Sequence, residues 1–251
     1  MRNPREVAGL ALLAALAVGF GCSHQKQWEG PKNLVFRMPD GFRLSATLWK
    51  PRHGRCPAVL LVANPEQDRG AFKPLAEKLA AKGIAALAVD LRIQGESLLA
   101  NESRDPLSGQ SLHFLADDVR HTFEKLQNAD YVDPSRTGVV ACAENADVVL
   151  RALLATSNLR AIALLSPVVS DSALNQLLRT RIPVFAAASY SDPAAAPLTK
   201  QIGENSRSPD TRFRIYFAAG RGSDMLWGPE AGDLVERLTG WFSQVLEVDA
   251  P

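Results

Sequence analysis

Three places in this 251-residue chain put reactive side chains just beyond apolar runs. In Ala141-Cys142-Ala143-Glu144-Asn145 a thiol closes a strand-like run and a carboxylate follows it; Ser191-Asp192-Pro193 and Gly220-Arg221-Gly222 follow two later runs. A thiol attacks a carbonyl as its thiolate, so it needs a group that draws off the proton. Imidazole is the usual one, yet the last histidine in the chain is His121, ahead of all three places, with His113 before it. Both read as partly exposed structural histidines. Arg221 stays protonated at any pH a protein meets and accepts no proton. Asp192 precedes a proline and is equally well a turn and helix-start residue, and Arg221 suits a salt bridge with it. Without a base, Cys142 reads as a small core residue.

The elements that would position these residues are legible as periods. Asn33 to Met38 and Arg43 to Trp49, separated by Pro39-Asp40-Gly41, read as an antiparallel hairpin. Short apolar runs follow at 58–63, 84–90, 137–141, 161–165, 183–189 and 212–218, and read as buried parallel strands. Amphipathic segments with three- and four-residue spacing lie between and after them, at 72–81, 115–126, 146–154, 173–178, 197–204 and 233–245. Eight strands, each from the third onward followed by a helix, imply one mostly parallel sheet covered on both faces. Residues 91–111 form the longest aperiodic stretch, of the kind that carries function or mobility. Cys56 and Cys142 fall at opposite ends of parallel strands, roughly 20 Å apart at about 3.3 Å per residue, beyond disulfide reach, so two free thiols are expected.

With 46% hydrophobic and 22% charged residues, the chain has material for one core. Arg2 and Arg5 precede an apolar run from Val7 to Phe20, too short to span a membrane and suited to a signal-peptide core over residues 1–21. Removing it leaves 26 basic and 26 acidic residues, a balance that points to no polyanion and no nucleic-acid partner. Ser23 to Lys32 is polar and aperiodic and reads as a tether with no packing.

Ala17-Val18-Gly19-Phe20-Gly21-Cys22 resembles the lipobox of bacterial lipoproteins, although Gly19 stands where that motif usually has Leu; ordinary secretion with a cut after Ala17 is the other reading. The resemblance implies lipidation of Cys22 and a domain held to a membrane surface within the bacterial envelope, facing the periplasm.

From Asn33 onward, the hairpin 40–51, the turn Asp90-Leu91-Arg92-Ile93-Gln94-Gly95-Glu96-Ser97, the approach Asp133-Pro134-Ser135-Arg136-Thr137-Gly138 and the turn Leu165-Ser166-Pro167 together resemble the α/β-hydrolase superfamily, in particular compact dienelactone-hydrolase and esterase-like members. That resemblance implies an α/β-hydrolase fold over residues 33–251 and three landmarks. At the nucleophile elbow, G-x-S-x-G, Ala143 stands at the serine position and Ala141 and Asn145 replace the glycines. Cys142 is one residue too early to point at a substrate. The acid position falls on Asp192, and the histidine position on Arg221. The loop that normally offers oxyanion amides reads Ala63-Asn64-Pro65-Glu66, with a proline that has no amide hydrogen; the Glu144 amide, at a helix start, still qualifies as a donor.

With serine and histidine both absent, the reading is a pseudo-hydrolase without cofactor or metal that acts by binding an envelope protein or a small amphiphilic ligand. Asn64, Glu144 and Asn145 are then candidate pocket residues. The alternative is an active carboxylic-ester hydrolase with a rearranged centre using Cys142. A closed cluster of Asn64, Glu144, Asp192 and Arg221 with no pocket is a third. Since strain at an elbow is kept where catalysis uses it, the turn at Ala143 is expected to have relaxed.

Overall fold

The computed structural model describes residues 27–52, 54–99, 114–155 and 158–248. The expected signal peptide, Cys22, His53 and His113 lie outside them, as does most of the aperiodic stretch 91–111.

The eight expected runs form eight strands: β1 (Trp28–Arg37), β2 (Arg43–Pro51), β3 (Cys56–Val62), β4 (Ala85–Val89), β5 (Val132–Cys142), β6 (Leu159–Leu165), β7 (Val184–Ser189) and β8 (Arg212–Tyr216). They make one sheet in the order β1-β2-β4-β3-β5-β6-β7-β8, antiparallel at β1, β2 and β4 and parallel from β4 through β8. Among the described residues the helices are α1 (Lys73–Ala81), α2 (Gly95–Leu99), α3 (Leu115–Gln127), α4 (Asn145–Leu153), α5 (Asp171–Arg179), α6 (Ala195–Asn205) and α7 (Ala231–Val245), with 3-10 turns at Arg69–Phe72 and Gly222–Leu226.

Alternation along the central strands divides the core in two. Ala58, Leu60 and Val62 of β3 face one side with Val119 and Phe123 of α3 and Val149 of α4. Val59 and Leu61 face the other with Leu75 and Leu79 of α1 and Leu238 and Phe242 of α7. A strand buried on both faces needs an unbroken apolar run, which is why these segments lack polar alternation. Cys56 and Cys142 are both buried and free.

The tether is shorter than its composition suggests. Trp28 is 6% exposed, packs with Trp49 in the second core, and opens β1 opposite Pro51. A single large aromatic ring outweighs the polar residues around it, so the domain begins at Trp28 and not at Asn33. β5 likewise starts five residues early, at Val132, because Cys56 pairs with Val132 across an irregularity in the ladder. The stretch read as aperiodic holds the short helix α2.

Candidate functional site

The C-terminal ends of β3, β5, β6, β7 and β8 bring the three landmark segments to one edge of the sheet. Ala143 follows β5 directly and keeps φ at +50°. Its amide donates to Leu165 O at 3.0 Å, and its carbonyl accepts from Ala146 N and Val168 N, both at 3.1 Å. The sharp strand-to-helix turn therefore persists with a methyl group at its apex. The expected relaxation has not occurred, because the ladder to β6 and the start of α4 pin the residue from both sides. Ser166, after β6, carries the same left-handed conformation, with φ at +48°.

Cys142 points the other way. Its side chain is fully buried in the second core with Val140, Leu165 and Phe242, and burial pushes its thiol pKa far up. One step along an extended strand reverses the side chain, so a one-residue offset separates the thiol from the face that carries Arg221.

Arg221 gathers the carboxylates. Its guanidinium is hydrogen-bonded to Glu144, with Nε at 3.7 Å from Asp192 Oδ2 and Nη1 at 3.8 Å from Glu66. Asp192 is mostly buried; its Oδ1 accepts from Ala195 N at 3.2 Å at the start of α6, while Oδ2 has no hydrogen bond among the described residues and faces the guanidinium. The acid thus serves both readings of its position, as a turn residue and as a partner of Arg221. Hydrogen bonding from Asn64, then from the backbone amide of Glu66 itself, and last the charge of Arg221 hold the Glu66 carboxyl below its ordinary range against the opposing effect of burial.

Asn64 and Asn145 work as buried ties. Asn145 Nδ2 donates to Ala63 O at 2.7 Å, joining the start of α4 to the end of β3. Asn64 Oδ1 accepts from Ser223 N and Ser223 Oγ at 3.0 and 2.5 Å, and its Nδ2 donates to Glu66 at 3.1 Å. Gly222 lets this happen: at φ +57° it lies so close that an added Cβ would stand 2.8 Å from Asn64 Oδ1. Gln94 Nε2 donates to Asn64 O and Gln67 O, and Gln67 donates to Asp224. Ser223, Gln94, Gln67 and Glu66 are not singled out by the sequence reading; only Gln94, inside a recognisable turn, and Glu66, closing the oxyanion loop, leave a trace there.

Behind the loop lies a buried ionic brace. Asp90 accepts from Arg69 N at 2.6 Å and from Glu96 N at 3.0 Å and pairs with the Arg69 guanidinium. Ser97 Oγ donates to Asp90 O at 2.6 Å and accepts from Ser45 N at 2.7 Å, fastening β2 to the turn after β4. A Cβ on Gly95 would come within 2.5 Å of the Asp90 carboxylate, which accounts for the glycine. These residues hold the site's walls; they place no reactive group in it.

His121 lies on α3, with Nδ1 at 2.8 Å from Asp117 O, one helical turn back. That is a local structural role. Among the described residues no group of three or more His, Cys, Asp or Glu is arranged to hold a metal ion.

No protein-family model matches the chain, and no curated protein does. Solved structures do. A dienelactone hydrolase from Anabaena variabilis superposes with TM-score 0.65 at 16% identity, covering 86% of this chain and 99% of its own. A putative dienelactone hydrolase from Klebsiella pneumoniae gives 0.64 at 17%, covering 85% and 98%. Est1E from Butyrivibrio proteoclasticus gives 0.66 at 11%, covering 86% and 99%. Sheet order, elbow geometry and these superpositions agree: this chain has the α/β-hydrolase fold.

Proposed function

We propose that this chain is a bacterial envelope lipoprotein whose α/β-hydrolase-like domain is non-catalytic and acts by binding an envelope protein or a small amphiphile. The observation that carries the reading is Ala143. It occupies the apex of an intact elbow, so the loss of the nucleophile is a change of residue within a preserved turn and not a misplaced register. Arg221 supports it independently, since its guanidinium is engaged by Glu144, Glu66 and Asp192 at the position the resemblance gives to histidine. A triad without nucleophile and base keeps only what its oxyanion donors and binding supply. Cys142, buried with a raised pKa, lacks both access and a thiolate.

Exposed apolar side chains support a binding role. Val168, Tyr190 and Phe217 are exposed and follow β6, β7 and β8 at the same end of the sheet as Ala143, where a contiguous apolar patch would serve as a contact surface. The lipoprotein part rests on the sequence around Cys22.

The test is hydrolysis of a short-chain aryl ester by residues Ser23–Pro251, with Cys142→Ala in parallel. The expected result is no turnover above buffer for either protein. Turnover by the wild type alone would make Cys142 a nucleophile, and equal turnover would place a centre elsewhere; both overturn the reading. Incorporation of a labelled fatty acid in cells, abolished by Cys22→Ala, tests the anchor.

A further inference from the structure

Net charge near zero conceals a segregation of charge along the strand axis. The turns at the N-terminal ends of the parallel strands, taken with the element ends that adjoin them, residues 51–55, 82–84, 128–136, 154–160, 179–183, 205–212 and 246–248, hold nine Lys and Arg against four Asp and Glu. The turns at the opposite end, residues 38–42, 63–72, 90–99, 143–144, 166–170, 190–194 and 217–230, hold three against nine. The candidate site sits at the acidic end.

Helix capping explains part of this pattern. Every crossover helix runs antiparallel to its strand, so helix C-termini, which favour cations, collect at the basic end; Arg179 and Lys82 lie there. Capping does not explain Arg55, which immediately precedes β3, Arg212, which opens β8, Arg160, second in β6, Arg136, in the first half of β5, or Arg181, three residues before β7. A strand start has no comparable preference for a cation. Of the basic side chains here, Arg55, Arg179, Arg181, Arg207 and Arg212 are exposed, with no carboxylate at ion-pair distance among the described residues. A groove of 490 Å³ with Ile182 and Pro183 in it runs between Arg160 and Arg181; Asp210 and Glu247 also line it, the latter paired with Arg160.

The chain enters the fold at this same end. Trp28 pairs with Pro51, and Gln27 O accepts from Arg52 N. Cys22 is six residues before Trp28, a span of at most about 20 Å fully extended. A lipid on Cys22 would hold the β1 edge of the basic end at most about 20 Å from a bilayer, from where the end can reach the headgroups to within the screening length at physiological salt, about 8 Å.

We infer that the basic end, centred on Arg160, Arg181, Arg207 and Arg212, docks on an anionic phospholipid surface and turns the site-bearing end away from the membrane. The orientation rests on the reading of Cys22 as the anchor; the affinity of the face for anionic lipid does not, and the test separates them.

Unlipidated Ser23–Pro251, which contains every strand and helix among the described residues, is sedimented with vesicles of phosphatidylcholine alone or with about 30% phosphatidylglycerol, whose anionic headgroups attract Lys and Arg. The expected result is binding to the anionic vesicles at 0.1 M salt, lost at 0.5 M, with none to neutral ones; these salts bracket a roughly 10 Å and a much shorter screening length. Arg179→Glu/Arg181→Glu/Arg207→Glu should lower the partition coefficient at least about tenfold, given a contribution on the order of a factor of five per cation. Lys73→Glu/Lys78→Glu/Lys200→Glu, with the same net change elsewhere, should leave it near wild type, and unchanged thermal midpoints exclude misfolding. Wild-type protein that stays in solution, or a basic-end variant that binds like wild type, overturns the inference. So does binding to a DNA duplex without binding to anionic vesicles, which would indicate a polyanion partner instead. Absence of lipid on Cys22 in cells would refute the anchor while leaving the vesicle result intact.

Discussion

The guanidinium of Arg221 is hydrogen-bonded to the carboxylate of Glu144, the residue directly after Ala143. Two departures from the hydrolase pattern therefore touch one another: Arg221, at the position the resemblance gives to histidine, is closed onto the residue beside Ala143, at the position it gives to serine. Restoring one alone leaves the other in place.

Ala143→Ser and Arg221→His, made singly, are expected to stay at the buffer rate on an aryl ester. The double variant places a hydroxyl on the retained elbow and an imidazole near Asp192 Oδ2, and a positioned base contributes about 10²-fold or more. Steady-state hydrolysis of all three proteins checks this. A double variant at the buffer rate would locate a further defect in the oxyanion loop around Asn64 and Pro65.

A left-handed alanine costs about 1 kcal/mol or more relative to glycine, while losing a buried methyl costs about 0.8 kcal/mol and glycine adds chain entropy to the unfolded state. At Ala143 these nearly cancel. Ala143→Gly should lie within about 0.5 kcal/mol of wild type, whereas Ala141→Gly, in the extended strand β5 with no strain to relieve, should lose roughly 1–2 kcal/mol. Urea midpoints of the two variants decide it; an Ala143→Gly loss equal to that of Ala141→Gly would mean that the elbow is unstrained.

Arg92 and Asp118 form a doubly hydrogen-bonded pair, with both bonds at 2.6 Å and both side chains almost wholly buried. Arg92 also reaches Asp40 at 3.0 Å and lies 4.6 Å over the Phe42 ring. Asp118→Ala leaves a buried guanidinium half paired and should cost about 3–5 kcal/mol. Replacing both residues by apolar ones of similar volume should cost less than either single change. A denaturation cycle over the two positions measures the coupling.

Burial pushes the Tyr131 hydroxyl up to about 12 from a usual 10. Below pH 10 the phenol is neutral in both folded and unfolded chains and its contribution is constant. As pH rises from about 10 to 12 the unfolded chain releases the proton first, so stability falls across that window by about 2 kcal/mol. Tyr131→Phe removes this limb, and stability measured from pH 8 to 12 should decline less steeply in the variant. Tyr216, also raised by burial, keeps part of the decline in both proteins.

The elements were legible where one physical signal dominated. Runs such as Ala58 to Ala63 contain no side chain that water could solvate, and β3 lies there. The signal failed where a single residue carried the structure, as with Trp28, and where a turn-like sequence sits as an irregularity inside a strand, as with Asp133-Pro134-Ser135 in β5. At the site, the Asp192–Arg221 approach followed from family positions. Glu144 proved the tighter partner, because the intact elbow aims the residue after Ala143 towards the Arg221 loop. The contact of Asn64 with Ser223 spans 159 positions; nothing local in either segment announces it.

The way the chain enters the sheet has a mechanical consequence. β1 leaves the basic end along the strand axis and is laddered to β2 from Trp28–Pro51 to Arg37–Arg43. A pull between the N-terminus and anything held at the far end of the domain runs parallel to both strands. The β1–β2 hydrogen bonds then share the load in shear instead of opening one at a time, and the Trp28 ring, seated beside Trp49, is the first part of the domain to bear it.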